Sequence, residues 1–108
     1  MTVNWQNVVI TPTVSIKDAL KIIDKESLRV ALVVDNNKLV GMVTDGDVRR
    51  GILKGVELTD PVNNIMNDVP LSANVNLATE ELRKIMQQRQ ILSLPLVDDE
   101  GCLVGLKT

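Results

Sequence analysis

An internal repeat is the feature that most constrains how this 108-residue chain can fold. Four residues of the first half recur in order 63 positions later: Lys21, Ile22, Val34 and Asp35 as Lys84, Ile85, Val97 and Asp98. One inserted residue further on, Leu39-Val40-Gly41 recurs as Leu103-Val104-Gly105, and Thr44 as Thr108. Repetition at a fixed spacing is typical of folds built from copies of one small unit. We therefore expect both halves to share one architecture.

The same order of elements is predicted in each half. A helix comes first, because apolar residues recur at helical spacing; these are Ile16, Ala19, Leu20 and Ile23, then Leu82, Ile85 and Met86. Two apolar strands joined by a short turn follow, over 30–34 and 38–43 and again over 94–97 and 102–106. A further helix, over 47–53, is evident only in the first half. The predicted bounds are 1–55 for the first repeat, 56–64 for the linker and 65–108 for the second repeat, which lacks its last helix.

The predicted fold class is α+β, made of two helix–β-hairpin–helix units. One unit alone cannot bury the apolar face of its sheet. Two units that pack sheet to sheet around a pseudo-two-fold axis can bury both faces.

The composition excludes several classes of function. A net charge of −2 and a single aromatic residue, Trp5, argue against a nucleic-acid binder, which needs a basic surface and stacking platforms. The chain has no His, and its one Cys, Cys102, cannot form an intrachain disulfide, so we expect a cytoplasmic, reducing setting. The longest apolar run, 30–34, is too short to span a membrane, and the first residues show no signal peptide. No nucleophile has a base at suitable spacing and no metal-ligand cluster is present, so the chain alone is not expected to be an enzyme.

The segment 41–50, Gly-Met-Val-Thr-Asp-Gly-Asp-Val-Arg-Arg, is the best candidate for a binding site because it ends a strand and opens a helix. Gly41 allows a ligand or another backbone to approach closely. The Asp47 carboxylate is suited to accept hydrogen bonds from the hydroxyls of a ribose. Thr44 either caps the helix or donates to a ribose or phosphate, and Arg49 or Arg50 lies close enough to meet a phosphate.

Simpler interpretations of this loop stay open. Thr, Asp and Gly are common where a helix begins, because they cap helices and form turns. Asp45-Gly46-Asp47 is also similar to part of a calcium loop, but the further oxygen ligands are absent. A phosphate-binding P-loop is excluded because the chain has no Gly-x-x-x-x-Gly-Lys pattern.

The repeat, together with Gly41-x-Val43-Thr44-x-x-Asp47, resembles a pair of CBS domains, also called a Bateman module. Further residues resemble CBS pairs that precede sugar-phosphate nucleotidyltransferase domains: Trp5, Ala31–Asp35, Thr44–Gly51 and Ile65–Asn67. This finer resemblance implies a regulatory segment, with a nucleotidyltransferase domain after residue 108 in the full-length protein. The family also implies homodimers, and no nucleic acid or membrane is expected as a partner.

The resemblance implies two clefts between the repeats that bind an adenine nucleotide as a regulatory ligand, with no cofactor required. The first would hold ribose and phosphate on Thr44 and Asp47, with the base against the other repeat; its predicted residues are Gly41, Thr44, Asp45, Asp47, Arg49, Val69, Pro70, Ile91 and Ser93. The second would use Ile10, Thr11, Val30 and Thr108. It is expected to be empty or weak, because Lys107 replaces an apolar residue and no Asp follows Thr108. The implied function is a nucleotide sensor that controls a fused or partner enzyme. The alternative is a structural dimerisation module with no physiological ligand.

Overall fold

The computed structural model describes residues 4–108 and contains two three-stranded sheets. In the first repeat a 3-10 turn over Trp5–Val8 precedes β1 (Val9–Ile10), α1 (Ile16–Lys25), β2 (Val30–Asp35), β3 (Lys38–Thr44) and α2 (Asp45–Leu53). A second 3-10 turn, Val62–Asn64, lies in the connecting segment. The second repeat consists of β4 (Ala73–Asn74), α3 (Thr79–Arg89), β5 (Leu94–Val97) and β6 (Leu103–Lys107). The predicted α+β class and tandem architecture are confirmed.

Helix α1 follows directly from its sequence. Ile16, Ala19 and Ile23 are buried and lie on one face at helical spacing. Ser15 caps the helix, because its side chain accepts a hydrogen bond from the Asp18 backbone N–H at 3.1 Å.

Each sheet contains one strand more than the predicted hairpin. The two-residue strands β1 and β4 pair in parallel with β2 and β5, and each hairpin is antiparallel. Two residues are too few to show a strand pattern, and a parallel neighbour needs a distant crossover that local sequence does not reveal. The first hairpin turns at Asn36 and Asn37, both at positive φ as such a two-residue turn requires.

The inner faces of the two sheets bury an apolar cluster between the repeats. Val30 and Leu32 of β2 are buried there, with Leu39 and Met42 of β3 beside them and Leu103 and Leu106 of β6 from the second repeat. The hairpin tips are also joined directly: the Leu39 N–H donates to the Gly101 carbonyl at 3.2 Å, and the Leu103 N–H donates to the Asn37 carbonyl at 3.0 Å. The two repeats therefore share a core and are hydrogen-bonded at their tips.

The cores of the two repeats differ in size. Nine buried residues fill the space between the first sheet and its helices, whereas three, Ala73, Leu82 and Leu94, form the corresponding cluster of the second repeat. The difference arises because α2 has no counterpart within the described part of the second repeat. Among residues 4–108, no helix has the length and apolar character needed to cross a membrane.

The connecting segment packs on the first repeat. Val62 is buried in that repeat's core, and Ile65 and Met66 pack against it. Asn67 then exchanges both backbone hydrogen bonds with Met42, at 2.9 and 3.1 Å, along the free edge of β3. Residues 62–67 thus contribute to the first repeat's packing although they lead into the second.

Candidate functional site

A cleft of about 500 Å³ lies between the repeats, at the open ends of the two hairpins, opposite to their tips. Its volume is in the range that holds a small ligand. The residues that line it come from both repeats: Ser27, Leu28, Arg29, Val30, Met42 and Thr44 from the first, and Ile91, Leu92, Ser93 and Thr108 from the second. Residues predicted for two separate clefts therefore line one shared space, with Thr44 and its repeat equivalent Thr108 both at its wall.

Thr44 and Asp47 form a reciprocal cap at the start of α2. The Asp47 Oδ2 accepts from the Thr44 N–H at 2.9 Å and from the Thr44 hydroxyl at 3.1 Å. The Asp47 N–H donates back to the Thr44 hydroxyl oxygen at 3.4 Å. These hydrogen bonds form a capping box, so Thr44 and Asp47 do cap the helix, as the simpler interpretation of the loop expects. The same hydrogen bonds hold the carboxylate next to Thr44, which lines the cleft, and they occupy part of its capacity to accept hydrogen bonds.

Arg50 occupies the other oxygen of the same carboxylate. Its Nη2 donates to the Asp47 Oδ1 at 2.8 Å, and the two residues lie three positions apart on α2. Asp47 and Arg50 also border a smaller cavity of about 170 Å³ beside α2, together with Lys54 and Asn64. Arg50, one of the two arginines expected to meet a phosphate, is thus paired with the Asp47 carboxylate.

Gly41 is close to another segment of the chain. A Cβ at this position would lie 2.5 Å from the Met66 sulfur and 3.3 Å from the Asn67 carbonyl oxygen. Of the two roles predicted for Gly41, the close approach of another segment is the one seen here.

The remaining predicted residues are dispersed. Asp45 and Arg49 are exposed on α2, and Asp45 lines a neighbouring groove along α1 that shares Ser27 and Arg29 with the cleft. Val69 is 80% exposed and Pro70 half-buried. Ile10 is buried in the core of the first repeat, and Thr11 beside it is exposed.

The strand register also shows which residues are equivalent between the repeats. Ile10 pairs with Val33 as Ala73 pairs with Leu96. Ala73 is therefore the counterpart of Ile10.

Two parts of the site were missed from the sequence. The segment Ser27–Arg29 lines the cleft, and its repeat equivalent includes Leu92, which is 85% exposed. The available signal is the repeat itself, because the shift of 63 makes Leu28 the counterpart of the predicted residue Ile91. The ion pair of Arg50 and Asp47 was not predicted, and the available signal for it is the spacing of opposite charges at i and i+3 on a helix.

Two α+β repeats that share a core and a cleft define a class of small tandem-repeat modules. The CBS domain family matches this chain twice, over residues 3–54 and 62–106. The chain belongs to the CBS domain family, as a tandem pair, and such a pair is a regulatory module and not a catalytic one.

Relatives of the chain include both short CBS proteins and longer enzymes. It is 31% identical to the CBS domain-containing protein YhcV of Bacillus subtilis, over 97% of this chain and 75% of that protein. It is 34% identical to arabinose 5-phosphate isomerase GutQ of Escherichia coli, over 86% of this chain and 29% of the isomerase. An uncharacterised protein of Helicobacter pylori is 37% identical, over 90% of this chain and 30% of that protein. The chain thus spans about three tenths of the length of the last two relatives.

Solved structures with the same fold include nucleotide complexes. CBSX2 in complex with AMP superposes with a TM-score of 0.80 and 29% identity, over 100% of this chain and 85% of that one. MJ1225 of Methanocaldococcus jannaschii, described as a putative archaeal homologue of the γ subunit of AMPK, has a TM-score of 0.82 and 25% identity, over 94% of this chain and 42% of that one.

Proposed function

We propose that this CBS pair is a sensor that binds one adenine nucleotide in the shared cleft. The observation that carries the proposal is the position of Thr44: it lines the cleft and is bonded to the Asp47 carboxylate. A carboxylate can accept hydrogen bonds from neighbouring ribose hydroxyls. Apolar residues from both repeats, Val30 and Ile91, border the same space and would contact the base. The AMP complex of the similar CBSX2 structure supports this choice of ligand.

Binding between two repeats gives a physical route to regulation. A ligand shifts the relative arrangement of the repeats only by binding one arrangement more tightly. Because the cleft is lined from both repeats, its occupant contacts both and can distinguish such arrangements. In this proposal the module acts as a homodimer, in a cytoplasmic setting predicted from the single cysteine.

The controlled enzyme is proposed to act on a sugar phosphate. The resemblance described above favours a nucleotidyltransferase, whereas the relative GutQ is an arabinose 5-phosphate isomerase. Both enzyme classes handle phosphorylated sugars. Sequencing the gene on either side of the region that encodes this chain distinguishes them: a transferase domain supports the first and an isomerase domain the second.

Thermal unfolding with and without nucleotide tests the proposal. AMP, ADP or ATP at about a hundred times Kd should stabilise the chain by roughly 2.7 kcal/mol. For a domain of this size that corresponds to a rise in Tm on the order of 10 °C. Asp47→Asn should remove the shift, measured from its own ligand-free Tm, and 2′-deoxy-AMP should give a smaller shift than AMP with the native chain.

Asp18→Asn is the matched control. Asp18 follows the capping residue Ser15 by three positions in α1, as Asp47 follows Thr44 in α2, but Ser15, unlike Thr44, does not line the cleft. This variant should keep the full nucleotide shift. If no adenine nucleotide raises the Tm of the native chain, the sensor proposal is wrong. Retained dimers in light scattering would then favour the alternative, a structural dimerisation module.

A further inference from the structure

The Asp47 carboxylate has little free capacity for a ligand. A carboxylate offers about four acceptor positions. Thr44 occupies both positions on Oδ2, through its N–H and its hydroxyl, and Arg50 occupies one on Oδ1. Two ribose hydroxyls that donate together need two acceptor positions. One of the present donors must therefore leave when a ribose binds.

Of the donors to Asp47, Arg50 can be displaced at a smaller cost in free energy than Thr44. Its side chain is 64% exposed, and an exposed ion pair contributes little to stability. The Thr44 hydrogen bonds, in contrast, cap α2 and satisfy its first backbone N–H groups. The Arg50 guanidinium thus occupies an acceptor position on Asp47 Oδ1, and a ligand that displaces it makes this position free again.

Gly46 makes room for this arrangement. A Cβ at Gly46 would lie 3.1 Å from Nη1 and 3.4 Å from Nη2 of Arg50. The guanidinium therefore lies over Gly46 in the first turn of α2, beside the carboxylate. Arg49, the neighbouring residue, has no ion pair within residues 4–108.

We infer that Arg50 selects phosphorylated nucleosides over free nucleosides by exchanging the Asp47 carboxylate for the ligand's phosphate. This inference rests on the proposed function. A nucleoside that displaces Arg50 leaves the guanidinium without an anionic partner. A nucleotide supplies a phosphate, which a guanidinium binds with paired, charge-assisted hydrogen bonds. The ion pair of the ligand-free chain therefore opposes adenosine more than it opposes AMP.

Calorimetric titration with AMP and with adenosine tests this inference on the native chain and on Arg50→Gln. In the variant, adenosine should bind a few-fold more tightly than it does to the native chain, because its competitor is gone. The preference for AMP over adenosine should fall about tenfold or more, because one charged hydrogen-bond donor to phosphate is lost. Arg89→Gln, an equal change of charge on the exposed last turn of α3, should leave both affinities unchanged.

The outcomes separate this inference from the proposed function. If the native chain binds AMP and Arg50→Gln keeps the native preference, the role of Arg50 is wrong and the sensor stands. If Arg49→Gln lowers the preference and Arg50→Gln does not, the assignment to Arg50 is equally wrong. If the native chain binds neither ligand, the proposed function itself fails, and this inference fails with it.

Discussion

Gly41 lies directly against Met66, so that a Cβ on the glycine would stand 2.5 Å from the methionine sulfur. The contact joins β3 to the connecting segment, next to the paired backbones of Met42 and Asn67. We expect Gly41→Ala to lower the free energy of unfolding by about 1–3 kcal/mol, as overpacking of a filled interior does. Urea denaturation measures the loss.

Gly105→Ala is the matched control for this prediction. Gly105 is the repeat equivalent of Gly41 and is also buried, but its added Cβ would meet the nearest atom, on Leu96, at 3.4 Å. The substitution should therefore cost clearly less than Gly41→Ala. Equal losses at both positions would show that Met66 is not the cause.

The capping box of α2 should be measurable as a coupling energy. Thr44→Ala removes the side-chain cap and should cost about 1 kcal/mol of unfolding free energy, whereas Thr44→Ser keeps a hydroxyl and should cost less. Because Thr44 and Asp47 bond each other, the double variant Thr44→Ala, Asp47→Ala should lose less than the two single losses added together. Strict additivity in the double-mutant cycle would contradict the capping box.

The cluster between the repeats should contribute strongly to stability. Leu32 is fully buried in it, and Leu32→Ala should cost about 2–5 kcal/mol, since a large apolar side chain is removed from a packed interior. Leu53→Ala, at an 81% exposed position at the end of α2, should change stability by less than about 0.5 kcal/mol. Chemical denaturation compares the two variants. A small effect of Leu32→Ala would mean that the sheets do not pack as described.

Local stability should differ between the repeats. Helix α1 packs on a core of nine buried residues and α3 on a core of three. Segments with fewer buried apolar contacts open more often. Hydrogen exchange should therefore be about tenfold or more faster for the backbone amides of α3 than for those of α1. Saturating AMP should slow exchange in both repeats, because the cleft is lined by both. Equal protection of the two helices in the ligand-free chain would contradict the difference between the cores.

Much of the fold could be predicted because its signals are local or repeated. Apolar spacing predicts α1 and α3, and the matching order of elements in the two halves predicts the paired sheets. The strands β1 and β4 were missed because their two residues each become strands only through distant parallel partners. The joined hairpin tips likewise depend on how the repeats meet, which no local pattern records.

The candidate site was predicted in part for a similar reason. Thr44 and Asp47 were identified from their spacing, and the structure shows them bonded to each other. Whether Arg49 or Arg50 faces them depends on side-chain direction along α2, and the sequence left both open. The wall segment Ser27–Arg29 carries no distinctive residue type, and its one sequence signal is the repeat equivalence of Leu28 and Ile91.

The hydrogen bonds between the hairpin tips have a mechanical consequence. The two repeats are packed through their sheets and hydrogen-bonded at their hairpin tips, whereas a cleft separates the opposite ends of the hairpins. A change in their relative angle is therefore easiest as a pivot about the tips. The Leu39–Gly101 and Leu103–Asn37 bonds form that pivot, and the cleft lies at the far end of strands about 20 Å long. In the function proposed above, a ligand in the cleft would set the angle between the two repeats, and the helices on the outside would be displaced with it.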